Sequence, residues 1–360
     1  MKLIHCSDIH LGASMRTHLS IEQAKKRQEE LLATFSRMIE YAIQNQVDGI
    51  IIAGDLLDTD ECDMKTRNFL IDSIENTPSV NFYYLCGNHD ENSILTRDNK
   101  LPKNLFVFGN NWTTFKLGDI NITGATLGTI NNENLYRSLS LPLDEFNIVT
   151  LHGGEVRGHI YDTPDTVNLD ILKDKNIDYL ALGHLHSYKI CQLDSRAMYC
   201  YSGCLEGRGF DECGEKGFVL LEIEKNNFTT TFVPFARRTL YEISIDITET
   251  NTTREILSKI EEKMQSISCE SLVRIVLTGT VDLKTEKHLS LLLANLENRF
   301  FYVQIKDKTR IKLDLQNFIN DVSIAGEFVR LVQDSDLSNT EKERVIMLGL
   351  RALNGEEVEL

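Results

Sequence analysis

Lys2-Leu3-Ile4-His5-Cys6-Ser7-Asp8-Ile9-His10 opens the chain with a short apolar run that breaks into Asp-x-His. Four further runs of the same kind follow, at 49–53, 81–86, 148–151 and 179–182. Short, unbroken and rich in β-branched or aromatic residues, they read as strands buried on both faces. Between the first two, residues 21–46 place Leu31, Leu32, Phe35, Met38, Ile39 and Ala42 at helical spacing against a charged opposite face. A second helix fits 65–75. Helices alternating with buried strands predict an α/β core in which two sheets face each other and helices cover the outside. The stretches 105–126 and 197–233 read as short strands with Gly and Asn turns, which predicts antiparallel pairing there.

Each of the five strands ends in a cluster of metal-binding residue types. These are Asp8-Ile9-His10, Gly54-Asp55-Leu56-Leu57-Asp58, Gly87-Asn88-His89-Asp90, His152-Gly153-Gly154 and Gly183-His184-Leu185-His186. Sites in open α/β sheets form where the carboxyl ends of strands converge. A single Asp-x-His is ordinary surface polarity, and a single Gly-Asn-His-Asp is a turn with an Asx bond; five such clusters in order are not explained that way. Imidazole, carboxylate and amide without thiolate suit Mn²⁺, Fe²⁺ or Zn²⁺ in open geometry. So many donors exceed the needs of one ion, which implies two, and a carboxylate such as Asp55 can bridge them. Two ions about 3.5–4 Å apart clamp a phosphate and lower the pKa of a shared water, the apparatus of phosphoester hydrolysis.

These motifs resemble the signature of the calcineurin-like metallophosphoesterases, and within them the SbcD-type DNA-repair exonucleases. The likeness extends through Ile51-Ile52-Ala53-Gly54-Asp55, Asp178-Tyr179-Leu180-Ala181-Leu182-Gly183-His184, and Tyr201-Ser202-Gly203-Cys204 to Phe210-Asp211-Glu212 and Gly214-Glu215-Lys216-Gly217. It covers residues 1–235 well and the rest in outline. The resemblance implies a metallophosphoesterase sandwich in which Asp8, His10, Asp55 and His186 hold one ion. Asp55, Asn88, His152 and His184 would hold the other. His89 would face the scissile phosphate, stabilising charge or protonating the leaving oxygen, with Asp90 orienting it. From the residues alone, His89 fits a structural histidine as well. The resemblance also implies two Mn²⁺ ions, DNA as substrate, a homodimer, and a coiled-coil ATPase partner of the SbcC type docked on C-terminal helices.

Pro234 is the last proline, and a boundary is placed after it. The expected domains are a catalytic one at 1–235, a small α+β capping domain at 236–308, and a helical tail at 309–360 that binds a partner. The tail carries one helix with Ile324, Phe328, Val329, Leu331 and Val332. A second begins at the capping box Ser338-Asn339-Thr340-Glu341 and stops near Asn354-Gly355.

Other features carry plainer readings. His5 reads as a core or supporting group, and His18 and His288 as solvated. His159 reads as a surface residue or a lining of the site, and Lys25-Lys26-Arg27 as a solvated helix face. Among eight cysteines there is no CxxC pair; Cys200, Cys204 and Cys213 form only a weak zinc pattern. No apolar run approaches the roughly 18–20 residues that span a bilayer, and the N-terminus meets Asp8 too early for a signal peptide. Reduced thiols in a cytoplasm, with no membrane partner, are therefore expected. Phosphoprotein phosphatases of the superfamily carry Arg-Gly and Glu where this chain has Thr59-Asp60 and Asp90, which disfavours that substrate. A complete donor set disfavours an inactive scaffold. DNA and small phosphodiesters such as cyclic nucleotides both stay open, with Arg16 the first basic residue after His10. The formal charge of −16 opposes unaided DNA binding. Residues 237–360 carry about −4 of it and residues 1–236 about −12, where two divalent ions would return +4.

Overall fold

The computed structural model describes residues 1–353 except 17, 60–61, 91–94, 96–100, 129–131, 159–164, 226, 283–284, 313–317 and 319–320. His159, Asp60 and the expected helix stop at Asn354-Gly355 lie outside the described residues. The chain divides into two units, Met1–Leu240 and Tyr241–Leu360.

In the first unit the apolar runs form β1 (Lys2–Cys6), β2 (Gly49–Ala53) and β3 (Asn81–Leu85), joined by α1 (Ile21–Gln44) and α2 (Met64–Glu75). α1 starts where the Ser20 hydroxyl accepts from the Gln23 N–H and the Gln23 side chain accepts from the Ser20 N–H, a capping box. Then follow β4 (Leu105–Val107), β5 (Thr113–Leu117), β6 (Ile120–Gly124), β7 (Phe146–His152), β8 (Gly154–Val156), β9 (Thr166–Asn168) and β10 (Tyr179–Gly183). The unit closes with β11 (Lys189–Gln192), β12 (Met198–Tyr201), β13 (Gly217–Glu224) and β14 (Asn227–Pro234). One six-stranded sheet runs β14-β13-β1-β2-β3-β4, the other β11-β12-β10-β7-β6-β5.

Alternation along each strand decides which core it feeds. Ile4, Ile50 and Ile52 pack with α1 residues Leu31, Phe35 and Met38 on one outer face. Leu180 and Leu182 pack on the other outer face. Leu3, Ile51, Tyr179 and Ala181 point the opposite way, into the layer between the sheets. Each buried Leu or Ile contributes about 1.5–3 kcal/mol, so the three apolar layers fix the facing of the sheets. The result is the two-sheet α/β sandwich read from the sequence.

The expected antiparallel pairing at 105–126 and 197–233 holds only in part. β5 and β6 form a hairpin and β13 pairs antiparallel with β14. β4, however, lies parallel to β3, β6 parallel to β7, and β12 parallel to β10. Gly and Asn turns mark where the chain reverses, but burial on both faces decides the neighbour. Arg27 also departs from its reading as a solvated residue. It is buried, donating to Glu206 Oε2 (3.0 Å) and the Gly207 carbonyl (2.8 Å). Lys25 and Lys26 are exposed, as are His18 and His288.

The second unit is α+β. β15 (Leu240–Asp246), β16 (Leu272–Thr278) and β18 (Tyr302–Asp307) form a three-stranded sheet, and β17 (Thr280–Val281) pairs with β19 (Arg310–Ile311). Helices Thr253–Lys263 and Leu289–Leu296 cover it. Further on, helices Ile324–Gln333 and Asn339–Leu353 bury Val329, Val332, Ile346 and Leu350 together. Gly349 allows this approach, because a Cβ there would overlap the Phe328 ring. Ile324 and Leu331, expected in the apolar stripe, are instead 77% and 63% exposed. No helix among the described residues is long and apolar enough to cross a membrane.

Candidate metal centre

The loops after β1, β2, β3, β7 and β10 converge. Asp8, His10 and Leu11 donate backbone N–H groups to the carbonyls of Gly54, Asp55 and Leu56 at 3.0, 2.9 and 2.8 Å, zipping two strand ends together. Gly183 permits the sheets to meet, since a Cβ there would overlap the Ala53 carbonyl oxygen. The closeness distorts the backbone: Asp8 (φ 51°), His10 (51°), Asp55 (50°) and His184 (101°) all lie in the left-handed region. Such conformations cost on the order of 1–3 kcal/mol each, and surroundings must over-determine them.

Three triads of donor atoms result among the described residues, Asp8/His10/His186, Asp8/Asp55/His152 and, beside them, His10/Asp58/His89, each with its atoms within 4.8 Å of one another. Asp55 Oδ2 stands between the first two, 3.7 Å from His10 Nε2 and 3.4 Å from His152 Nε2. Asn88 Oδ1 lies 3.1 Å from His152 Nε2. His152 Nδ1 donates to the Ala53 carbonyl at 2.9 Å, which leaves Nε2 to face the carboxylate. Burial opposes a charge on His152, but the Asp55 carboxylate outweighs it and lifts the pKa to about 9. His184 takes a different place. Its N–H donates to both Asp8 oxygens (2.9 and 3.1 Å), and its ring stands edge-on to His152 at 5.5 Å. Burial, then the charge of His152, lower its pKa.

His186 and His10 are backed by carboxylates that the sequence reading did not count as site residues. Glu212 Oε1 accepts from His186 Nδ1 at 2.7 Å. Burial would raise the Glu212 pKa, but His186 and Arg208 outweigh it and hold it at about 2. Asp58 Oδ1 lies 3.2 Å from His10 Nδ1, and Arg208 bridges Asp58 and Glu212 at 3.2 and 3.0 Å. Glu212 and Asp58 carried a signal, standing in the quoted motifs, but Arg208 carried none.

Asp90 corrects its expected placement. It does not orient the His89 ring; its oxygens accept from the Leu57 and Gly87 N–H groups at 3.0 and 2.8 Å. The exposed His89 ring instead has Nδ1 at 3.1 Å from the Asp58 carbonyl oxygen and stands 4.8 Å from His10. The loop turns Asp90 inward and His89 outward, so neighbours in sequence do not share a face. His5 is buried against the Tyr179 hydroxyl at 2.9 Å. All eight cysteines are free thiols, and none joins a metal-competent group among the described residues.

The donor set fits divalent cations. His10 Nε2 is buried without a hydrogen-bond partner, 3.7 Å from Asp55 Oδ2, while Nδ1 faces Asp58 Oδ1 at 3.2 Å. Gaps of 3.4–3.7 Å between imidazole nitrogen and carboxylate oxygen are what two ligands on one ion leave, each about 2.0–2.2 Å from it.

The profile of the calcineurin-like phosphoesterase family matches residues 1–188, which takes in every cluster from Asp8 to His186. An uncharacterized metallophosphoesterase of Bacillus subtilis, YhaO, is 26% identical over 299 residues, 78% of this chain and 72% of its own. The DNA double-strand break repair protein Mre11 of Sulfurisphaera tokodaii is 27% identical over 375 residues, 98% of this chain and 93% of that protein. The SbcD component of the nuclease SbcCD of Staphylococcus epidermidis is 26% identical over 272 residues, 65% of this chain and 69% of that protein. With its motifs matched over more than half its length, the chain belongs to the calcineurin-like phosphoesterase family.

Proposed function

We propose that this chain hydrolyses DNA phosphodiester bonds at two divalent ions, as the nuclease component of a complex with a coiled-coil ATPase of the SbcC type. The observation that carries the reading is Asp55 Oδ2, set between His10 Nε2 and His152 Nε2 as one oxygen serving two ions must be. Divalent ions held there would lower the pKa of a water and draw charge from the phosphate oxygens. Asp8, His10, Asp55 and His186 would hold one, and Asp55, Asn88, His152 and His184 the other. The nitrogen and oxygen donors suit Mn²⁺, with Fe²⁺ and Zn²⁺ as alternatives.

The remaining residues position and protonate. The Asp58 carbonyl accepts from His89 Nδ1, so the imidazolium form of His89 would donate from Nε2 to the leaving oxygen. Asp90 holds the loop that carries His89. DNA as substrate is supported by the names of the Mre11 and SbcCD relatives, and by the Mre11 match running through both units. We read residues 1–235 as the catalytic domain and 236–308 as a capping domain. The tail at 309–360 would offer the exposed Ile324 and Leu331 to the ATPase. A homodimer in the cytoplasm completes the reading. With a charge of −16, the chain alone would grip DNA weakly and with strong salt dependence.

The test is hydrolysis with Mn²⁺ of linear duplex DNA, bis-nitrophenyl phosphate and cyclic nucleotides, with and without an SbcC-type ATPase from the same organism. Cleavage of DNA, stimulated by the ATPase, is expected. Cyclic-nucleotide cleavage with DNA left intact would replace this reading by a small-molecule phosphodiesterase.

A further inference from the structure

The two ion positions differ in what stands behind their imidazoles. Behind His152 is a neutral group, the Ala53 carbonyl at 2.9 Å. Behind His186 and His10 are carboxylates, Glu212 at 2.7 Å and Asp58 at 3.2 Å. One side chain joins those two carboxylates. Arg208 reaches Asp58 Oδ1 through Nη1 at 3.2 Å, and Glu212 Oε1 through Nη2 at 3.0 Å and Nε at 3.2 Å. Its own N–H donates to Glu212 Oε2 at 2.7 Å.

The Arg208 guanidinium also comes within 3.3 Å of His186 Nδ1. That nitrogen faces Glu212 more closely, and a carboxylate can only accept, so the proton sits on Nδ1 and Nε2 is free to bind. The loop that presents Arg208 is itself anchored. Glu206, two residues earlier, is buried and accepts from Arg27 Nη2 at 3.0 Å and the Thr34 hydroxyl at 2.7 Å, both on α1.

We propose that Arg208 is a positioning residue: through Asp58 and Glu212 it fixes both imidazoles of the His10/His186 ion position, making that position the tighter of the two. The inference rests on the two-ion reading above. A carboxylate behind an imidazole fixes its tautomer and raises its basicity, and removing such a partner weakens metal binding by about 10- to 100-fold. Arg208 spends three guanidinium donors, set in fixed directions, on these two carboxylates, an arrangement that a lysine ammonium on its flexible stem does not reproduce. Arg208 is 23% exposed, with its donors turned toward these two acceptors.

The experiment is Mn²⁺ titration of the full chain, followed by calorimetry and by the electron paramagnetic resonance signal of the bound ions. The wild type should bind two ions in two steps and show the spectrum of an exchange-coupled pair. Arg208→Lys and Glu212→Gln, an isosteric change in case the first disturbs folding, should each weaken the tighter step by about 10- to 100-fold. At a free Mn²⁺ concentration that fills both wild-type positions but lies below that new constant, each should show isolated Mn²⁺ in place of the pair. Asn88→Ala should spare the tighter step, and Arg208→Lys combined with Asn88→Ala should retain neither tight ion. Variants that keep both constants and the coupled spectrum would overturn the role of Arg208 while leaving the two-ion reading intact. A wild type that binds fewer than two ions would overturn both.

Discussion

At the strand ends of Met1–Leu240, Asp8, His10, Asp55 and His184 carry left-handed backbones, and the first three bury polar side chains in a cluster of carboxylates and imidazoles. In Tyr241–Leu360 left-handed backbone among the described residues is confined to His288 and Gly279. Its helix Thr253–Lys263 begins with an ordinary capping box, and its half-buried ion pair, Lys287–Asp307 at 2.7 Å, is a matched one. The second unit is built as stability alone would build it. The first gives up several kcal/mol to hold carboxylates and imidazoles close together, which makes sense if cations restore the balance.

That contrast can be broken most sharply at Asp55. Asp55→Ala removes the oxygen proposed to serve both ions, and phosphodiester hydrolysis should fall by about 10⁴-fold or more, with metal analysis showing both ions weakened. Hydrolysis within a few-fold of wild type would deny Asp55 its bridging place. His89→Gln should lower turnover by about 10²–10⁴-fold with both ions retained; loss of an ion would make His89 a ligand.

The packing of the site predicts effects on folding. A Cβ on Gly87 would overlap the Asp55 carboxylate, whereas Gly109 has nothing within 4 Å. Gly87→Ala should therefore destabilise the chain by about 2–4 kcal/mol and Gly109→Ala by about 0.5 or less, measured by urea unfolding. Mn²⁺ at about 100 times its dissociation constant should stabilise the first unit by about 2.7 kcal/mol for each ion bound. The fluorescence of Trp112, the only tryptophan and part of that unit, reports this directly. An unshifted transition would mean that the strained loops do not answer to a cation.

The smallest effect belongs to the second unit. Burial would raise the Asp307 carboxyl pKa, but Lys287 and Thr309 outweigh it and hold it below the usual carboxylate value. The pair's contribution is thus present above the unfolded carboxyl pKa and lost as pH falls through the lower folded value. Lys287→Met should cost about 2 kcal/mol at neutral pH and flatten that acid-side decline, with no change in Mn²⁺ binding.

The sequence made the strands that lead into the candidate site legible because a strand buried on both faces must be apolar throughout, so its polar end stands out. α1 was legible by the same contrast between its faces. What escaped depends on partners distant in sequence. Arg27 sits in a run of three basic residues and reads as solvated; only Glu206, 179 positions later, makes it a buried ion pair. Arg208 meets Asp58 across 150 positions. Asp90 adjoins His89, yet loop geometry turns it to the Leu57 and Gly87 amides. The orientation of β4 and β6 escaped for a related reason, because local turn residues say nothing about the neighbouring strand.

The central claim is that two ions share Asp55, and diffraction from crystals grown with Mn²⁺, recorded at the manganese absorption edge, tests it most directly. The account predicts two anomalous peaks about 3.5–4 Å apart on either side of Asp55 Oδ2. One should be bound by Asp8, His10 and His186, and the other by Asn88, His152 and His184. A single peak, or one held by the neighbouring group of His10, Asp58 and His89, would contradict it.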